Sequence, residues 1–213
     1  MMVFPMRWIV LAGLLLCAPC VLVAQTYRPQ SAKSTYVSPD ETFRFDYRNS
    51  LVQCRRSPDQ SDWWIPAESC EPYIPVCLSA SGDSESTVAC IAYPSSDMKG
   101  TNFEGAAFSV SEPKGANTEP KCRSVGEDSR TAPITTQTVN GVKFSVTKTV
   151  GVATGHGENG LIYATFYQGK CYELDITITS AGAGYSDQPL KPFDFENVQR
   201  TLKMVLDSFK FLK

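Results

Sequence analysis

Four groups of residues have the types and spacing that chemistry needs. They are a set of cysteines, one histidine beside an acid, two acids two residues apart, and adjacent tryptophans. Cys54, Cys70, Cys77, Cys90, Cys122 and Cys171 lie beyond an apolar leader that carries the other two thiols, Cys17 and Cys20. An even number of thiols in an exported chain points to disulfides made in an oxidising compartment. Structural zinc needs close cysteine pairs, and none of the six stand two or three apart, so neither a metal nor any other cofactor is expected. The expected pairing is Cys54–Cys70 closing a proline-rich segment, Cys77–Cys90 across a hairpin, and Cys122–Cys171 pinning a long loop. Each bridge contributes roughly 2–4 kcal/mol, mainly by restricting the unfolded chain.

His156 is the one histidine of the sequence. Within Gly155-His156-Gly157-Glu158 it has the makings of a general base oriented by Glu158. The same glycines describe an exposed hairpin tip with a solvated ring, and a working base needs a rigid support. The tip is the expected reading and His156 with Glu158 the catalytic alternative. A Ser–His–Asp triad would have to use this ring, and no Gly-x-Ser-x-Gly elbow presents a serine. No Gly-Lys-Ser/Thr follows the glycines, so they make no phosphate loop.

Glu173 and Asp175 share one face of a strand. Two facing carboxylates suit a glycosidase, but an acidic face turned to water explains them without function, and that is expected. Trp63 and Trp64, with Tyr73 nearby, are the candidate ligand-binding residues. In a disulfide-closed loop they would form a stacking platform for a sugar or peptide, the plainer role being to pack beneath that loop.

The elements that must position these groups follow from pattern. Residues 1–24 carry one charge, Arg7, then an apolar run, the layout of a signal peptide cleaved after Ala24. Left uncleaved, it would serve as an N-terminal membrane anchor; no later segment is long and apolar enough to span a bilayer. Residues 25–40 read as a flexible polar lead-in, and 41–213 as a single disulfide-stapled domain large enough to bury a core. The formal charge of −2, without a basic run, excludes a phosphate-neutralising nucleic-acid surface.

Phe43, Phe45 and Tyr47 alternate with charged residues, as in a half-buried strand. Residues 74–80 and 87–93 are expected to pair as a hairpin, 106–111 to form a strand, and 112–130 a loop. Asn140-Gly141 is a type I′ turn signal between strands 134–139 and 142–150. A glycine-rich loop over 151–160 precedes strand 161–167, and Gln168-Gly169 turns it into strand 170–179. There Tyr172, Leu174, Ile176 and Ile178 face one way, with Cys171, Glu173, Asp175 and Thr177 opposite, giving a meander with one wet face. Phe195, Val198, Leu202, Val205 and Phe209 form one helical stripe, with Asp194 placed to serve as N-cap or to add favourable charge at the helix start. The class is therefore α+β: an antiparallel sheet, with a C-terminal meander, covered by a C-terminal amphipathic helix and stapled by disulfides.

Three segments, Phe43-Arg44-Phe45-Asp46-Tyr47, Cys171-Tyr172-Glu173-Leu174 and Leu206-Asp207-Ser208-Phe209-Lys210-Phe211, carry a resemblance to the PsbP-like (DcrB-like) group of exported domains. Arg48 stands where that group often has proline, and residues 54–90 have no counterpart in it. The resemblance implies helices over an antiparallel sheet and an accessory or assembly role without a catalytic site; no site residue carries over from it. The functional expectation is an exported, non-enzymatic binding or accessory domain, periplasmic or secreted. Its partner would be a protein, a glycan or a small ligand. The competing class is a secreted hydrolase using His156 or the carboxylate pair.

Overall fold

The computed structural model describes residues 32–56, 64–66, 77, 86–126, 133–153, 155–182 and 190–212. The early strands are β1 (Lys33–Val37), β2 (Phe43–Arg48), β3 (Val52–Arg56), β4 (Trp64–Pro66), β5 (Thr87–Ala92) and β6 (Phe103–Ser111). A short helix α1 (Glu119–Arg123) precedes β7 (Thr135–Val139), β8 (Val142–Ala153), β9 (His156–Tyr167) and β10 (Lys170–Ala181). Helix α2 (Phe195–Ser208) and β11 (Lys210–Phe211) close the chain. Among the described residues the strands form a large antiparallel sheet, ordered β4-β3-β5-β6-β10-β9-β8-β7, and a small one, ordered β1-β2-β11.

The meander folds where its turn dipeptides direct it. Asn140 and Gly141 take φ of 46° and 85°, and Gln168 and Gly169 take 48° and 82°, the positive pair that a two-residue I′ turn requires. Strands β8, β9 and β10 are in unbroken antiparallel register. Their α2-facing side carries Phe144, Val146, Tyr163, Tyr172, Leu174, Ile176 and Ile178, all buried.

Helix α2 lies on that side and packs against β2, β6 and β10. Val198, Leu202 and Val205 of its stripe are buried together with Leu206 and the C-cap residue Phe209. Asp194 caps the start by accepting from the Asn197 backbone N–H at 3.0 Å, satisfying a donor that the helix cannot pair internally. The small sheet joins the same core through Phe43 and Phe45, which are almost fully buried. Phe45 meets Phe108 edge to face at 5.2 Å. The α+β class, the meander and the closing helix over an apolar sheet face all hold.

Other expectations are corrected. Lys33–Val37, read as part of the lead-in, form β1 and pair with β2 along its length. The segment 151–160 is not a loop: β8 runs to Ala153 and β9 begins at His156. The 112–130 stretch contains α1. Strand β5 takes the predicted place, with β3 along one edge at Cys90–Ala92 and β6 along the other; its expected hairpin partner, 74–80, lies outside the described residues apart from Cys77. The leader lies outside the described residues, and among the described residues no helix is long and apolar enough to cross a membrane.

Candidate functional site

The face of the large sheet turned away from α2 holds the chemistry-bearing residues. It is not wet. Glu173 and Asp175 are 0% and 3% exposed, against the expectation of an acidic surface. Alternation along β10 marks two faces correctly, but whether the polar face meets water depends on what lies over it. Cys77 is bridged to Cys90 and packs with Cys54, Ala92 and Ala107 at one end of this face. At the other end the Cys122–Cys171 bridge holds α1 and Ala116 down on Ala164.

Between these two apolar clusters runs a buried polar strip. Asp175 stands opposite Ser109, and Glu173 opposite Ser111. The Ser111 hydroxyl donates to Thr87 Oγ1 at 3.1 Å. Carboxylates enclosed in this way are not an open pair flanking a substrate bond, so the glycosidase geometry is not met.

The bridges Cys77–Cys90 and Cys122–Cys171 span Cα separations of 5.7 and 5.5 Å, as a relaxed disulfide requires. Cys54 is also disulfide-bonded; its expected partner Cys70 lies outside the described residues.

His156 opens β9, opposite Ala153 of β8 and Ala181 of β10. It stands at the hairpin tip, as expected, but as a half-buried strand residue and not as a solvated ring. Its partner is Glu104 of β6, whose Oε1 lies 2.6 Å from Nδ1. The two residues belong to strands separated by β10, and a bulge brings them together. The β6–β10 register shifts between Thr179 and Ser180, which face Gly105 and Phe103, so Glu104 is an extra residue without a cross-strand mate. A bulge bends the strand and re-aims a side chain, and the small Ala181 lets the carboxylate reach the ring. The side chains of His156 and Glu104 are 30% and 13% exposed. Glu158, the orienting acid expected from sequence, is exposed two residues along β9. Glu104 was the residue missed, and Gly105 was its available signal, since glycine inside a strand marks a bulge or close approach.

A carboxylate against Nδ1 favours the tautomer protonated on that nitrogen, the way a general base is oriented. Trp63 and Tyr73 lie outside the described residues. Trp64 is placed by its backbone alone, in β4 opposite Arg56.

A groove of about 400 Å³ opens between α1 and strands β7 to β9. Glu119 and Arg123 line it from the helix, where they form an i,i+4 ion pair. Thr136, Lys143, Ser145 and Phe166 line it from the sheet. Helix α1 is held there by its own cysteine, Cys122, through the bridge to β10.

No protein-family model matches the chain, and no curated protein matches it. It is similar to a solved structure from Bacteroides thetaiotaomicron VPI-5482, at 11% identity and a TM-score of 0.45, covering 84% of this chain and 48% of that one. This chain thus spans about half the length of that protein. It is also similar to the solution structure of cyanobacterial PsbP (CyanoP) from Synechocystis sp. PCC 6803. There the identity is 10% and the TM-score 0.40, over 84% of this chain and 92% of that one.

Proposed function

We propose that the chain is an exported, non-enzymatic binding or accessory domain of the cell envelope or extracellular space. The observation that carries this reading is the contrast between an open groove and closed acids. Glu173 and Asp175 are sealed into the sheet, whereas the groove beside α1 offers Lys143, the hydroxyls of Thr136 and Ser145, and the Glu119–Arg123 pair to a ligand. Its volume lies in the usual range of roughly 300–1,000 Å³ for small-ligand sites. Cations and hydroxyls beside an aromatic edge suit a polar ligand such as a glycan or an acidic small molecule. Export is supported by the two bridges, which persist in oxidising compartments.

Trp63, Trp64 and Tyr73 remain the proposed second contact surface. A thermal-shift screen of glycans and small carboxylic acids tests both places. A shift that disappears in Lys143→Ala puts the ligand in the groove; one that disappears in Trp63→Ala or Trp64→Ala puts it on the aromatic platform. A screen without any shift in the wild type counts against a small-ligand site.

One observation favours a second reading. The His156–Glu104 pair has the geometry of a base held in one tautomer, which a secreted hydrolase would use. Turnover of an ester or glycoside panel that vanishes in His156→Ala, with the melting temperature of a matched stable variant, would establish that reading and displace the first.

A further inference from the structure

Cys54 of β3 stands directly opposite Cys90 of β5, and Cys90 is bridged to Cys77. The three Sγ atoms lie within 4.8 Å of one another, and all three residues are buried. Since Cys54 is itself disulfide-bonded, two bridges lie sulfur against sulfur in a pocket shared with Ala92 and Ala107. We propose that Cys54, Cys77 and Cys90 form a thiol–disulfide exchange site, in which Cys90 passes from Cys77 to Cys54.

The register makes the second pairing available. Directly opposed residues of antiparallel strands have Cα atoms about 4.5–5.5 Å apart, inside the roughly 4.4–6.8 Å that a disulfide spans. Cys90 therefore has two partners within reach on the folded backbone. The Cys122–Cys171 bridge differs, because no third cysteine among the described residues joins it.

The exchange begins when an external dithiol reduces the Cys54 bridge. The dithiol is oxidised to its own disulfide, and Cys54 and its former partner are left as thiols. Cys54 loses its proton, and the thiolate attacks Sγ of Cys90. The Cys54–Cys90 bond forms, the Cys77–Cys90 bond breaks, and Cys77 leaves as a thiolate that takes up a proton. This second step consumes no electrons. Once freed, Cys54 Sγ already lies within 4.8 Å of Cys90 Sγ, a proximity that a thiol in solution does not match, so the intramolecular attack dominates. The covalent tie at Cys90 moves from residue 77 to the neighbouring strand, cross-linking β3 to β5.

Two measurements test this on the full mature chain. The wild type is partially reduced with dithiothreitol under native conditions, quenched with iodoacetamide and mapped without further reduction. In parallel, Cys77→Ser is mapped as purified; there the Cys90 thiolate attacks Cys54 and expels its former partner. The expected result in either is a Cys54–Cys90 peptide, accompanied in the wild type by alkylated Cys77, with Cys122–Cys171 intact. The proposal is overturned if that peptide is absent from both maps. It is equally overturned if Cys54–Cys90 appears only together with mixed pairs that include Cys122 or Cys171, because the exchange then occurred in unfolded chain.

Discussion

His156 Nδ1 lies 2.6 Å from Glu104 Oε1 although β10 runs between the strands that carry them. The pair ties β9 to β6 over Ala181, at the end of the sheet where β8 and β9 join. Its second carboxylate oxygen, Oε2, is buried and has no hydrogen-bond partner among the described residues. Removing the imidazole would leave the whole carboxylate buried with its main partner gone, which costs about 1–3 kcal/mol. His156→Ala should therefore destabilise by that amount in urea unfolding, and adding Glu104→Ala should return part of it. A double variant less stable than His156→Ala would contradict the asymmetry.

Asn140 does more than turn the β7–β8 hairpin. Its Nδ2 donates to the carbonyls of Asp207 at 2.9 Å and Phe209 at 2.6 Å, pairing groups at the end of α2 that the helix leaves open. Its own φ is 46°. Asn140→Ala loses both bonds and strains the backbone, an expected cost of about 2–3 kcal/mol. Asn140→Gly loses the bonds but relieves the φ, and should cost roughly half as much in the same unfolding assay. Equal losses would mean that the turn conformation contributes nothing.

Lys170, in the β9–β10 hairpin, lies 3.0 Å from Glu112 Oε2 and 3.9 Å from Asp40 Oδ2. The Glu112 hydrogen bond holds the ammonium above its ordinary 10.5. Folding raises this pKa, so the stabilisation is complete below 10.5 and is lost as pH rises through the folded value. Asp40 has the opposite sign. Burial pushes it up, but the Ser38 and Thr42 hydroxyls, the Thr42 N–H and Lys170 outweigh that and leave it below its ordinary 3.8. Its stabilisation is present above 3.8 and disappears as pH falls through the folded value. Lys170 and Asp40 are about half exposed, so the contributions stay under about 1 kcal/mol and shrink with salt. Lys170→Met should trail the wild type by a constant margin at neutral pH, and the margin should close above 10.5. A margin that persists there would assign it to packing of the lysine stem.

Gly160 of β9 faces Thr149 of β8. A Cβ at Gly160 would overlap Thr149 Oγ1, while Thr149 Cβ would be at an ordinary 3.6 Å. Gly160→Ala should cost about 1–3 kcal/mol by overpacking, and Thr149→Ala in the same chain should recover most of it. Additive losses in a double-mutant cycle would show that the clash is not the cause.

Local pattern in the sequence determined the α+β class, the helical stripe from Phe195 to Phe209, the I′ turn at Asn140-Gly141 and the turn at Gln168-Gly169. It also pointed to the Cys77–Cys90 and Cys122–Cys171 bridges. These features are written in spacing between near neighbours, where 3.6- and 2-residue periods and positive-φ dipeptides act directly on the backbone. Tertiary structure alone decided the rest. Alternation separated Glu173 and Asp175 from the apolar side of β10, yet no local period shows that this second face is buried too, between two cysteine-bridged clusters. The partner of His156 was set by a one-residue bulge two strands away, which no local period encodes. Cys54 came to face Cys90 because β3 pairs along the edge of β5, a partnership between strands more than thirty residues apart. Strand order and bulges are long-range choices settled by total burial; they enclosed an apparently wet face and gave the histidine at the β8–β9 tip a carboxylate partner.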